Sequence, residues 1–188
     1  MIHITGSIER SFIFPAEPAV ALEFYSELTR LAEFLPHIEM LEAFPDNQAR
    51  MQYESKELGT YTIQLVCDIQ SVVDYENQII TIKPSRPKSA IKARRVGLNA
   101  TIGQGYFSSE SRFIDLGDHT RIEYTLALEA KLPRPRSMRF MPGSAINRIA
   151  QAITNGRMHE IANGFIEKSI AAFPLWLAQT VDTNTQIR

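Results

Sequence analysis

Apolar and polar positions alternate along this chain with two different periods, and the switches between them mark its elements. From Ser7 to Phe14 the step is two, with Phe12 and Phe14 on one face. That predicts a first strand, ended by Pro15-Ala16-Glu17-Pro18. Pro18 suits a first helical turn, where its missing N–H would have no partner anyway. Ala19, Leu22, Tyr25, Leu28, Leu31, Phe34 and Leu35 then recur at helical steps, which predicts two short helices with a break near Ser26 and a stop at Pro36. Between Ile38 and Lys131 the period returns to two. Tyr61, Ile63, Leu65, Cys67 and Ile69 alternate with polar neighbours, as do Ile122, Tyr124, Leu126 and Leu128. Turn signals at Pro45-Asp46-Asn47, Leu58-Gly59-Thr60, Tyr75-Glu76-Asn77 and Leu116-Gly117-Asp118-His119 separate the strands. Their spacing predicts an antiparallel meander of about six strands.

After the extended break Leu132-Pro133-Arg134-Pro135-Arg136, helical spacing resumes through Ile146, Ile149, Ile153, Met158, Ile161, Phe165, Ile170 and Phe173. This predicts one long helix over roughly 143–173, ended near Pro174. Residues 181–188 are polar and read as a frayed tail beyond a single domain at 1–180. The long helix carries an apolar stripe that must be covered, and a sheet with one apolar face is the only partner large enough. The expected fold is α+β: a curved antiparallel β-sheet wrapped around a long C-terminal α-helix, with two short helices after strand 1.

Composition narrows the class without naming a function. The 188 residues include 20 Lys+Arg and 21 Asp+Glu, a formal charge of -1, and 44% are apolar. Such a chain can bury a core and shows none of the marks of wholesale disorder. Its near-zero net charge gives no general attraction to nucleic acid or anionic membranes. A single cysteine, Cys67, excludes an intrachain disulfide and a multi-thiolate metal site. No secretory signal pattern opens the sequence, and no apolar run approaches a membrane span, so a soluble, cytoplasmic protein is expected.

The element order resembles that of the START-like superfamily, also called SRPBCC, the helix-grip or birch-pollen-allergen type. Four stretches sharpen the likeness. They are Ser11-Phe12-Ile13-Phe14-Pro15 leading to Leu35-Pro36-His37-Ile38; Lys56-Glu57-Leu58-Gly59-Thr60-Tyr61; Gly103-Gln104-Gly105-Tyr106-Phe107-Ser108-Ser109-Glu110-Ser111; and Ile161-Ala162-Asn163-Gly164-Phe165-Ile166-Glu167. They resemble an uncharacterised cyanobacterial and plastid branch of that superfamily, a domain of unknown function. The resemblance spans about 7–173 and carries no assigned chemistry. It implies a cavity between sheet and long helix that often holds an apolar small molecule.

Such a cavity would take inward residues from the strands and the helix stripe: Tyr53, Tyr61, Ile63, Leu65, Phe107, Ser109, Tyr124, Leu126, Arg157, Ile161 and Phe165. In the run Phe107, Ser109, Ser111, Phe113, small hydroxyls lie between aromatics on one face. The opposite register would bury Glu110 and Arg112. Arg157 falls on the apolar stripe and has two readings. Its fork could anchor a carboxylate or phosphate, or it reaches the edge or pairs with an inward acid such as Glu57. Gly156 and Gly164, inside the same helix, could admit a close neighbour.

Charge is uneven along the chain. Residues 1–60 hold ten acids and four bases, residues 61–188 eleven and sixteen. Lys83, Arg86, Lys88, Lys92, Arg94 and Arg95 form one acid-free segment, and residues 130–159 form another. Arg94, Arg95, Arg134, Arg136, Met138 and Phe140 therefore make a candidate contact surface for an acidic protein or an anionic membrane. Two solvated loops balancing the acidic N-terminal part is the competing account. Few aromatics accompany the bases, which argues against nucleic acid.

Catalytic groups are sparse. His3, His37, His119 and His159 lack metal-pair spacing, no nucleophile elbow or phosphate loop is present, and Cys67 reads as a small buried residue. The expectation is therefore no metal, no cofactor and no assigned catalytic residue. Carriage of a lipid, isoprenoid or pigment-like molecule without catalysis leads. A cyclase or dehydratase-type enzyme acting on a polyketide-like or terpenoid substrate is the alternative, with His37, Tyr53, Tyr61 and Tyr124 as its available acid–base groups. A docking protein acting through the basic loops is the third reading.

Overall fold

The computed structural model describes residues 1–57, 59, 61–86, 92–96, 99–134 and 140–186. Strand β1 (Ile2–Phe14) leads to helices α1 (Pro18–Ser26) and α2 (Leu28–Phe34). Strands β2 (Ile38–Phe44), β3 (Gln48–Glu57), β4 (Tyr61–Asp74), β5 (Ile79–Pro84), β6 (Arg94–Val96), β7 (Ala100–Asp115) and β8 (Thr120–Leu132) follow, and then α3 (Gly143–Gln186). The strands form one curved sheet in the order β1-β8-β7-β5-β4-β3-β2, with β6 paired to β7.

Neighbouring strands run antiparallel with one exception among the described residues. The first five residues of β7 pair in parallel with the start of β4, from Thr62↔Ala100 to Val66↔Gln104. The antiparallel meander expected from spacing lacks this seam. It arises because β5 is only six residues long. β5 separates β4 from β7 along part of their length, and beyond it the two longer strands meet directly.

β1 begins at Ile2 and not at Ser7. Ile2, Ile4 and Ile8 are buried and pair with β8 at Leu132, Ala130 and Leu126. The alternation is broken at Gly6, where a Cβ would stand 2.3 Å from Met158 Sδ. α3 therefore lies against β1 at that point, and glycine makes the approach possible. The break between α1 and α2 falls at Glu27, as the spacing predicts. Asn47, in the β2–β3 turn, closes it from outside. Its Nδ2 donates to Ser26 O at 3.0 Å, and its Oδ1 accepts from Leu28 N at 3.4 Å.

The long helix does not stop at Pro174. It continues to Gln186, into residues expected to form a frayed tail. A proline inside a helix forfeits one backbone hydrogen bond and crowds the preceding turn. Packing beyond it offsets that loss. Trp176 lies 5.2 Å from Phe24 and 5.9 Å from Phe173, and the Arg30 guanidinium sits 5.2 Å above its ring. These belong to an aromatic cluster of Phe14, Phe24, Tyr25, Phe34, Phe113 and Phe173 that fills the end of the molecule beneath α1 and α2.

Candidate functional site

Between the concave face of the sheet and α3 the side chains leave a cavity of about 170 Å³. The strand alternation determines its walls. Tyr53 and Ser55 of β3, Ile63, Leu65 and Cys67 of β4, Phe107, Ser109, Ser111 and Phe113 of β7, and Ile122, Tyr124, Leu126 and Leu128 of β8 all face it. Ile153, Arg157, Met158, Ile161, Ala162 and Phe165 of α3 cover it, and Tyr25, Leu28, Leu31 and Leu35 close the end near α1 and α2.

Tyr53, Ile63, Leu65, Phe107, Ser109, Tyr124, Leu126, Arg157, Ile161 and Phe165 are thus brought together, and β7 takes the register that turns its serines inward. Tyr61 is the exception: it is not among the wall residues. It pairs with Glu57 at the end of the β3–β4 ladder, one inward position beyond Ile63, where the cavity has already ended. Sequence reasoning missed the contribution of α1 and α2. Their apolar spacing was visible, but periodicity does not say over which end of the sheet a helix lies.

Among the described residues the only formally charged one in the wall is Arg157, and its fork is occupied. Nε donates to Glu57 Oε1 at 2.8 Å, Nη2 to Glu57 Oε2 at 3.4 Å, and Nη1 to Glu160 Oε2 at 2.5 Å. Glu160 Oε1 in turn lies 2.8 Å from His37 Nε2. This chain ties β3, α3 and the α2–β2 turn together. His37 in that turn has φ 61°, and its carbonyl accepts from Glu54 N at 2.9 Å. Its hydrogen-bonding contact with His37, followed by that with Arg157, holds the Glu160 carboxyl below the usual carboxylate range. The hydrogen bonds that Arg157 donates to Glu57 and then Glu160 raise its guanidinium above the usual arginine range. The His37 ring faces Tyr53 edge-on at 6.4 Å.

The remaining polar groups of the wall are hydroxyls and a thiol. Burial pushes the Cys67 thiol up to about 12, so it stays protonated and is no nucleophile at neutral pH. Burial also raises the Tyr25, Tyr53 and Tyr124 phenols. Tyr25 Oη donates to Ser169 Oγ at 2.8 Å. Gly156 has open space where a side chain would be, whereas a Cβ on Gly164 would stand 2.5 Å from Pro36 Cγ, so Gly164 admits the α2–β2 turn and no ligand.

The two basic segments meet, but outside the cavity. Arg95 Nε donates to Arg134 O at 2.8 Å, and Arg134 Nη2 donates to Met141 O. Arg94 and Arg95 are exposed on β6, and Phe140 is 84% exposed. Met141 packs beside Ile2, Ile4, Leu65 and Ile146, under the start of α3. Arg136 and Met138 of this candidate surface lie outside the described residues. Among the described residues no cluster of three His, Cys, Asp or Glu is arranged to hold a metal ion, and no helix is long and apolar enough to cross a membrane.

No protein-family model matches the sequence, and no curated protein matches it. Solved structures do match in shape. The Zhui aromatase/cyclase from Streptomyces sp. R1128 superposes with a TM-score of 0.55 at 12% identity, over 91% of this chain and 94% of that one. A conserved protein from Geobacillus kaustophilus gives 0.56 at 9% identity, over 91% and 95%. A protein from Thermus thermophilus gives 0.50 at 14%, over 89% and 99%. At such identities the likeness speaks for architecture and not for chemistry. With its sheet curved around the long last helix, the chain has a START-like, helix-grip fold.

Proposed function

We propose that this protein binds or carries an apolar small molecule between sheet and α3, without transforming it. The observation that carries the reading is the cavity itself: about 170 Å³, walled by aliphatic and aromatic side chains, with hydroxyls and one thiol as its uncharged side-chain polar groups. An apolar cavity of about 150 Å³ is already enough to stay dry and bind benzene. The size favours a compact terpenoid, a short isoprenoid or a small ring system over a two-chain lipid. The groups a reaction would use support carriage: Arg157 is engaged by two acids, and the Cys67 thiol is held protonated by burial. Native mass spectrometry of protein purified from its source, followed by solvent extraction, tests this. A bound apolar compound is expected. It should be lost from Ala162→Phe, which fills the cavity roof. Protein that carries nothing, and whose melting is unmoved by any apolar probe, refutes the reading.

One observation favours a second reading, a cyclase-type enzyme. Tyr53 stands in the wall with His37 beside it, and His37 is hydrogen-bonded to Glu160. Turnover of polyketide-like or terpenoid substrates that falls in both His37→Ala and Tyr53→Phe would support it, and unchanged rates would remove it.

A further inference from the structure

Tyr124 lies in the middle of β8, paired with Ser111 of β7 on one side and Arg10 of β1 on the other. It is 6% exposed. Its ring meets those of Phe12 at 6.2 Å and Phe165 at 6.1 Å, so apolar surface surrounds it within the cavity wall. Its hydroxyl is fully buried and has no hydrogen-bond partner among the described residues. The neighbouring inward base does not supply one. Arg10 donates to Glu9 O and Asn163 Oδ1 and pairs with His159. Tyr25, by contrast, has its Ser169 partner. A buried hydroxyl left unpaired is costly, and such groups in folded proteins are nearly always satisfied. Phenylalanine would fill the same space without that cost. Burial keeps the phenol protonated, which makes it a donor.

Resting on the reading of the cavity as a ligand site, we propose that its ligand is a neutral, sparingly oxygenated apolar molecule, a ketone, ether or alcohol, whose oxygen accepts a hydrogen bond from Tyr124. Ser109 and Ser111 face the same space and suit the remaining lone pair or hydroxyl proton of that oxygen. A pure hydrocarbon would leave the phenol unpaired. A carboxylate would enter a wall whose one guanidinium is already bound to Glu57 and Glu160, so its charge would be buried without a partner.

Equilibrium dialysis with an isosteric pair, 2-acetylnaphthalene and 2-isopropylnaphthalene, together with 2-naphthoate, tests the assignment in wild type and Tyr124→Phe. The ketone is expected to lose about tenfold in affinity on substitution, while the hydrocarbon changes by less than about twofold and the anion binds neither protein. Equal effects of the substitution on ketone and hydrocarbon overturn the assignment and leave the cavity reading standing. Failure of every probe to bind wild type overturns both. The carbonyl stretch of the ketone bound to wild type gives a readout that does not depend on the variant. A shift to lower frequency than in hydrocarbon solvent is expected, and no shift overturns the assignment.

Discussion

Replacing Arg157 by methionine keeps most of the side-chain stem and removes the guanidinium. The consequence follows from what is left behind. The Glu57 side chain is 9% exposed, against 30% for Arg157, so the acid cannot turn to water as the base could. Its carboxylate oxygens would lose partners now at 2.8 and 3.4 Å, whereas Glu160 would keep His37. Removing one member of a buried pair costs about 3–5 kcal/mol. Partial exposure of Arg157 lowers the expectation to about 2–3 kcal/mol. With unfolding entropy near 2.1 cal/mol/K per residue, that is a fall in Tm of about 5–8 °C for a chain of 188 residues. Urea and thermal unfolding, followed by circular dichroism, measure it. Adding Glu57→Met to Arg157→Met removes the stranded charge and is expected to recover most of the loss, with a coupling of about 2 kcal/mol in the cycle. An Arg157→Met protein melting within about 1 °C of wild type, or additive single substitutions, would refute the claim that Arg157 is committed to Glu57.

Other expectations follow from the same geometry. Glu160 has its carboxyl lowered by His37 and then Arg157, so its stabilisation is present above the ordinary carboxylate range and is lost as pH falls through its lowered value. Between about pH 5 and pH 3 the Tm of wild type should therefore fall more steeply than that of Glu160→Gln, and parallel curves would contradict this. In ligand-free protein, Tyr124→Phe removes an unpaired buried hydroxyl and should raise stability by about 1 kcal/mol, or about 2–4 °C, in a differential scan. Gly164→Ala brings a methyl to 2.5 Å from Pro36 Cγ, part of a ring that cannot swing away. Overpacking of about 1–3 kcal/mol should outweigh the gain of about 1 kcal/mol in helix propensity, and a variant more stable than wild type would show that the turn yields. If the exposed Arg94 and Arg95 serve the docking reading, Arg94→Glu with Arg95→Glu should abolish co-sedimentation with phosphatidylserine vesicles at low salt, and unchanged binding counts against that role.

Local periodicity alone determined a good part of this protein. The two-residue alternation in β4, β7 and β8 decides which side chains share a face, so Ser109, Ser111, Tyr124 and Leu126 could be placed inward before any strand was paired. The helical stripe from Ile146 to Phe173 required a covering sheet, and an arginine on that stripe left open a ligand anchor, a reach to the edge or pairing with an acid such as Glu57, of which the tertiary structure makes the last. Tertiary structure decided what depends on residues distant in sequence. Pro174 reads as a stop, yet α3 continues because Phe24 and Arg30, some 150 positions earlier, pack on Trp176. Gly6 reads as a break in the first strand, yet it is where α3 lies closest to β1. Tyr61 shares the parity of Ile63 and Leu65 but lies past the end of the cavity, because parity gives direction and not depth. The unpaired hydroxyl of Tyr124 was beyond sequence reading for the same reason. A hydrogen bond is made or missed within about 3.5 Å, and only packing of the whole chain determines what lies at that distance.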